Sequence, residues 1–286
     1  MINVLTRART MTLETDPFPH LLIDNALDDD LYESLAAEFP SVAVVNRRGR
    51  RVKSNHLYLL SAADVATHPQ ITAAWKEFFR YPVSADFWRD ILPLVKSQLL
   101  TIHPGLEERA GRPLEQFRVA VREKDDSFEE EISLDCQFGV NSPVTRASSV
   151  RPPHIDHPTK LFNALLYCRA PDDDTPGGDL VLYRKTGPLA YSNGSSIMPN
   201  RVIAEKRIAY RANRLVLFLN SPWSVHGVDP RPPTPHVRRY INFLCEFREP
   251  LFEIERLSRL SRYYETTRAA IGKALSGRGA VDAIRV

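Results

Sequence analysis

The sequence predicts a mainly β fold, a sandwich or barrel of short strands with flanking α-helices. Three observations carry that expectation. From Ile132 onward, runs rich in β-branched, leucine and aromatic residues are separated by turns of proline, glycine and aspartate, the pattern of a sandwich or barrel. One run alternates with period two, with Ile132, Leu134, Cys136, Phe138 and Val140 apolar and Ser133, Asp135 and Gln137 polar. Pro152, Pro153 and Pro158 hold the middle of the chain extended rather than helical.

In chain order, Leu21 to Ile23 is a short strand. Asp28 is placed as the N-cap of a helix through Leu31, Leu35 and Phe39 that Pro40 ends. Arg47 to Lys53 is a basic loop with five cations, expected to be solvated, with a lid or an anionic-substrate contact as the alternative. Helices follow over Ile71 to Phe79 and Ala85 to Leu100, packing on the outside of the larger sheet. Leu114 to Val121 is expected as a strand, Glu123 to Glu131 as an exposed acidic turn, and Ile132 to Val140 as the first core strand. Leu161 to Cys168 is a buried strand. The turn Asp172 to Gly178 leads to a strand over Asp179 to Tyr183, and further strands cover Arg214 to Asn220 and Val237 to Phe247. Ile254 to Leu275 has helical apolar spacing and many arginines, which suggests a packed C-terminal helix, with a homodimer contact as the alternative. No repeat or strong boundary divides the chain. One domain is expected: an N-terminal helix-and-strand elaboration over 1–130, a core over 131–250, and a C-terminal helix and tail over 251–286.

Composition limits the function classes. At 43% hydrophobic and 26% charged, the chain has an ordinary globular balance, ample for one large core. A net charge of +3 is too small to imply a nucleic-acid partner. No run of apolar residues is long enough for a membrane span, and Met1 to Met11 lacks the apolar segment of a signal peptide. The cysteines Cys136, Cys168 and Cys245 all fall in predicted strands, as buried thiols rather than a disulfide set or zinc site, which suits a reducing cytoplasm.

His154-Ile155-Asp156 carries the most chemical information. In an extended strand, side chains at i and i+2 share a face, so one imidazole and one carboxylate stand side by side. A third ligand from a distant strand would complete a facial set of two histidines and a carboxylate, which leaves coordination positions open and suits non-haem Fe(II). A lone His-x-Asp is weak; its setting gives it weight. His226 follows the strand Arg214 to Asn220, and Arg239 lies in the last strand.

With these residues in place, the chain resembles the Fe(II)/2-oxoglutarate-dependent oxygenases of the prolyl-hydroxylase-like branch. The matching pieces are His154-Ile155-Asp156, Gly177-Gly178-Asp179-Leu180, His226-Gly227-Val228 and Arg238-Arg239-Tyr240-Ile241-Asn242. The phrase Asp16 to Asn25 is similar to the opening of many bacterial members. The resemblance implies a double-stranded β-helix (jelly-roll) core, with Fe(II) held by His154, Asp156 and His226. It also implies 2-oxoglutarate as co-substrate, O2 as oxidant, and hydroxylation of a C–H with release of succinate and CO2. The step from His226 to Arg239 is longer than the family pattern, and the Pro-rich insert Asp229 to His236 is expected to be a longer loop between strands.

The far carboxylate of 2-oxoglutarate needs a cation in a dry pocket, and a guanidinium suits it by pairing bidentately. Strand parity favours Arg239 over Arg238. Arg239 shares a face with Ile241, Phe243, Cys245 and Phe247, whereas Arg238 shares one with Tyr240, Asn242, Glu246 and Arg248. That inference holds if helices leave the outer face of the sheet uncovered. The resemblance makes Tyr167 the choice for an added hydrogen bond, with an ordinary core tyrosine as the alternative. Asn163 shares the face of Tyr167 and Leu165, and Gln137 on the first strand is a further pocket residue. His157 points away from Asp156, and His20, His56, His68, His103 and His236 have no partner pattern. Trp223 is expected either to wall the substrate pocket or to pack. The loops 141–153, with Arg151, and 185–200 are expected to form the substrate lid.

A small-molecule substrate is expected, with neither nucleic acid nor membrane as partner. Two other classes keep the metal ligands without this chemistry. One is a cupin-type metal sandwich with non-oxygenase activity, and the other is a non-catalytic binding module.

Overall fold

The computed structural model describes residues 3–8, 11–46, 51–122, 129–186, 191–193 and 196–254. Its strands are β1 (His20–Asp24), β2 (Leu57–Leu60), β3 (Val119–Val121), β4 (Ile132–Asn141), β5 (Lys160–Tyr167), β6 (Leu180–Lys185), β7 (Tyr191–Asn193), β8 (Ser196–Ile197), β9 (Val202–Ile208), β10 (Arg214–Leu219), β11 (His226–Val228) and β12 (Arg238–Phe247). Helices α1 (Asp29–Ala37), α2 (Val42–Val45), α3 (Ala62–Thr67), α4 (Ala73–Arg80), α5 (Ala85–Ile102) and α6 (Leu106–Ala110) all precede β3. Ser41, Ser61, Thr72 and Ser84 each accept a backbone N–H at the start of α2, α3, α4 and α5, satisfying a donor the helix cannot.

The large sheet runs β1-β10-β5-β12-β4-β2, with β3 joined parallel to β4, and faces a small sheet β11-β6-β9. Between the sheets pack Tyr167, Leu180, Leu182, Ile208, Val216, Phe218 and Tyr240. This mainly β sandwich is consistent with a jelly roll. On the other side of the large sheet lies the principal core, which combines alternate residues of β4, β5, β10 and β12 with apolar faces of α1, α4 and α5. Phe138 sits at its centre, with ring centroids of Phe39, Trp75 and Phe79 at 5.2, 4.8 and 4.7 Å. Such aromatic pairs contribute about 0.5–1.5 kcal/mol each beyond area burial.

The alternation in β4 is real, but both faces are covered: all ten residues are buried. Its apolar row meets the helices. Its polar row, Ser133, Asp135, Gln137 and Asn141, is buried on the opposite face, where Gln137 and Asn141 line a cavity between the sheets. The polar side of the strand is therefore the inside of the sandwich.

Several sequence expectations shift. The expected strand Leu114 to Val121 opens as a 3-10 turn, and only Val119–Val121 pairs, in parallel with β4. Strands β2, β9 and β11 were not foreseen, nor were β7 and β8 within the expected loop 185–200. The C-terminal helix over Ile254 to Leu275 falls outside the described residues beyond Ile254, as do part of the basic loop and most of the acidic turn. The three cysteines are free and buried, as expected. Among the described residues no helix is long and apolar enough to cross a membrane.

Two local features hold the cavity's shape. Gly177 and Gly178 have φ of +78° and +80°, and a Cβ at Gly177 would fall 2.1 Å from the Pro230 carbonyl oxygen; only glycine permits both the backbone and the approach. The Pro-rich insert is tied down rather than loose. Thr234 bridges to Val144 and Arg231 to Ser148, and Nη2 of buried Arg231 donates to both carboxylate oxygens of buried Asp173, at 3.1 and 3.2 Å.

Candidate metal centre and co-substrate pocket

His154 arrives on the extended segment ahead of β5, paired across backbone bonds of 2.9 Å with His226 at the start of β11. The pairing brings their rings to 4.2 Å between centroids. Asp156, two residues on, faces the same way. Its carboxylate oxygens lie 3.9 Å from His154 Nε2 and 3.6 Å from His226 Nε2. Ligand atoms of His154, Asp156 and His226 all fall within 4.8 Å of one another, and all three residues are buried.

The surroundings fix which atoms face inward. The Nδ1 atoms of His154 and His226 each sit 2.9 Å from a backbone carbonyl, of Pro152 and Ser224. An Nδ1–H donating to each carbonyl leaves the Nε2 lone pairs free for a metal and sets ring orientation. Asp156 accepts from Asn163 Nδ2 and, at 3.3 Å, from Lys160 Nζ. Burial holds both histidines below their ordinary pKa. Burial opposes ionisation of Asp156, but the Lys160 ammonium, with the Arg151 guanidinium, outweighs it and keeps the carboxyl below its usual range. Two neutral imidazoles and one carboxylate are the protonation states that metal binding needs.

The three ligands open onto a cavity of about 260 Å³ lined by Gln137, Asn141, Asn163, Leu165, Phe218 and Arg238, among others. Of the two adjacent arginines of β12, Arg238 lines this cavity and Arg239 does not. Arg238 is 2% exposed, with Nε donating to the Gly178 carbonyl at 2.8 Å and Nη1 to Asn141 Oδ1 at 3.3 Å. Its guanidinium lies 5.0, 5.0 and 5.1 Å from the ring centroids of Tyr167, Tyr210 and Tyr240. Arg239 lies on the helix side instead. Its Nε donates to the Cys168 carbonyl at 2.9 Å and its guanidinium sits over Phe39 at 5.2 Å. Parity divided β12 correctly but assigned the faces in reverse, because α1, α4 and α5 make the outer face the larger apolar core.

Three buried polar atoms near the inner end have no partner: Arg238 Nη2, Asn141 Nδ2 and Tyr167 Oη. Two are donors, and the hydroxyl can donate. Buried donors are seldom left unpaired, so this trio suits an anion's oxygens. Tyr167 is wholly buried and its hydroxyl is held un-ionised by burial. Tyr167 stacks against Arg238 rather than lining the cavity, whereas Gln137 and Asn163 lie on the cavity wall. Gln137 links Asp135 Oδ2 at 2.7 Å to Asn242 Nδ2 at 3.0 Å. Sequence reasoning missed Asn141 and Asp135; their signal was the polar row of β4.

The remaining expectations sort simply. His157 is exposed and bonds Thr159 at 2.8 Å, away from the ligands. His103 is buried against the Asn220 carbonyl at 3.0 Å. Trp223 neither walls the cavity nor packs in the core; it is 60% exposed, beneath the Lys185 ammonium at 4.3 Å.

No protein-family model matches the chain, and no curated protein matches it in sequence. Solved structures similar in fold include a prolyl-4-hydroxylase from Pseudomonas putida, at 14% identity and TM-score 0.41, covering 80% of this chain and 93% of that one. A prolyl 4-hydroxylase structure from Phytophthora capsici gives 14% identity and TM-score 0.45, over 86% of this chain and 66% of that one. The non-haem α-ketoglutarate-dependent epimerase SnoN of nogalamycin biosynthesis gives 12% and 0.45, over 84% and 88%.

Proposed function

We propose that the protein is an Fe(II)- and 2-oxoglutarate-dependent oxygenase that hydroxylates an unactivated C–H of a small or amino-acid-like molecule, releasing succinate and CO2. One observation carries the reading. A buried two-histidine, one-carboxylate cluster and a buried arginine with an unpaired N–H share a single cavity. A cupin-type site with other chemistry has no use for that arginine.

The residues fit both groups. His154 Nε2, His226 Nε2 and Asp156 would hold Fe(II), with open positions left for co-substrate and O2. Arg238, with Asn141 and Tyr167, would hold the far carboxylate of 2-oxoglutarate. Bound together, the two would supply O2 activation coupled to oxidative decarboxylation. The chain's own part is positioning and exclusion of water. Asn163 and Lys160 orient Asp156. Leu165, Leu180 and Phe218 form apolar walls, which strengthen the charge pairing at Arg238 by lowering the local dielectric. The Asp135–Gln137–Asn242 chain fixes the polar wall opposite.

Succinate formation from 2-oxoglutarate, measured with and without Fe(II) under air across a panel of candidate substrates, tests the reading. A stimulated product should gain the mass of one oxygen. Asp156→Ala should lower Fe(II)-dependent turnover by more than about a hundredfold, as expected when a binding interaction worth roughly 3 kcal/mol or more is lost. Full activity of Asp156→Ala sinks the assignment.

A further inference from the structure

Four cations line the metal cavity: Arg122, Lys160, Arg151 and Arg238. Arg122 pairs with Glu246 at 3.3 Å and Lys160 with Asp156 at 3.3 Å. Arg238 belongs to the inner pocket. Arg151 alone of the four is exposed, and no described carboxylate pairs with it; its Nε donates to His154 Nε2 at 3.0 Å.

That contact and a bound metal exclude each other. With Nδ1–H given to the Pro152 carbonyl at 2.9 Å, the ring's remaining lone pair is on Nε2. One lone pair cannot both accept from Arg151 and ligate a metal. Loading the site must therefore displace the Arg151 guanidinium. Its backbone does not follow, because the Arg151 carbonyl accepts from Val228 N–H at 2.9 Å and its N–H donates to Ser149 Oγ at 3.2 Å. Gly227 lies so close that a Cβ there would be 3.2 Å from the Arg151 carbonyl oxygen. The freed guanidinium stays tethered at the exposed part of the cavity lining, beside the candidate ligand His154. It is a planar fork matched to a carboxylate.

We propose that Arg151 is a substrate-specificity residue: displaced by the metal, it captures a carboxylate on the substrate, so the site takes carboxylate-bearing small molecules and discriminates against their neutral amides. The proposal rests on the oxygenase reading of the same site and narrows its substrate class.

Two measurements test it. The first needs no turnover. Mn(II) alone is titrated into wild type and Arg151→Ala and followed by electron paramagnetic resonance. Removing a donor that competes for His154 should tighten Mn(II) binding about threefold to tenfold, the scale of one net hydrogen bond. Unchanged or weaker binding overturns the displacement. The second is a screen of matched carboxylic acids and primary amides for stimulated, Fe(II)-dependent succinate formation. Acids should stimulate and amides should not. In Arg151→Ala the acid's KM should rise about tenfold to a hundredfold, the range of a charged hydrogen bond, while KM for 2-oxoglutarate holds. Arg151→Lys, which keeps the charge, should recover part of the preference. Equal stimulation by amides overturns the proposal, as does a rise confined to KM for 2-oxoglutarate or a preference for phosphate or sulfonate esters over carboxylates. If nothing in the screen supports Fe(II)-dependent succinate, the oxygenase reading fails and the substrate class with it, while the Mn(II) titration still decides whether Arg151 competes for His154.

Discussion

Arg238 and Arg239 are adjacent in sequence and face opposite sides of one strand. Arg238→Met should raise the KM for 2-oxoglutarate by about 2 kcal/mol or more, at least roughly thirtyfold, the cost of removing one partner from a buried charge pair. Arg239→Met should leave it near wild type. Steady-state kinetics on the two variants check this, and the reverse order would move the co-substrate site to the helix side. The motif His154-Ile155-Asp156 with His226 was legible because strand geometry alone puts i and i+2 on one face. The choice of arginine was not, because parity sorts side chains into two faces without saying which is the inside. Here both faces are buried, and the polar one lines the cavity onto which the candidate ligands open. Asp135 shows the same point. Buried in that row, its carboxyl is pushed up to about 6 by loss of hydration, against hydrogen bonds from Ala62, Cys136 and Gln137. A folded-state pKa above the unfolded value makes its contribution to stability largest below about pH 4, and that contribution is lost as pH rises through 6. Wild type should therefore lose roughly 3 kcal/mol relative to Asp135→Asn between pH 4 and 7, read from urea midpoints across that range. Parallel midpoints would show that the buried carboxyl does not titrate there.

At the scale of elements, helix starts and the long strands were readable: α1 begins after Asp28, α5 covers Ala85–Ile102, and β5, β10 and β12 fall within a residue or two of their expected bounds. The short strands β2 and β11 were not, since runs of three or four residues carry too little periodicity and are fixed by their partners, β4 and β6. The Pro-rich insert gave only a loop in sequence. In the structure it presses Pro230 onto Gly177 and buries Arg231 against Asp173, which steadies the turn whose Gly178 carbonyl receives Arg238. Arg231→Met should cost about 3–5 kcal/mol by leaving Asp173 as an uncompensated buried charge, measured by denaturant midpoint. Arg231→Met combined with Asp173→Leu should recover most of that loss. If the single change is harmless, the insert does not brace the turn.

Across the whole molecule, the decisive arrangement is the strand order. β12 lies between β4 and β5, hydrogen-bonded to both through nearly its full length, although both precede it by a long stretch of chain. Non-local pairing of this kind is slow to form. A version of the chain ending at residue 236 should associate through the two exposed borders of β4 and β5, visible as light scattering at concentrations where the 286-residue protein stays clear. A clear solution of the shortened chain would mean those borders find cover without β12.

That placement also sets when the protein becomes competent during synthesis. On the ribosome, His154, Asp156 and His226 all emerge before Arg238, and the strand that walls their cavity, β12, follows all three. A growing polypeptide thus has the three proposed metal ligands in hand but no closed chamber around them. The proposed oxygen chemistry has to wait for that late-arriving strand, which both joins β4 to β5 and delivers the Arg238 guanidinium to the cavity.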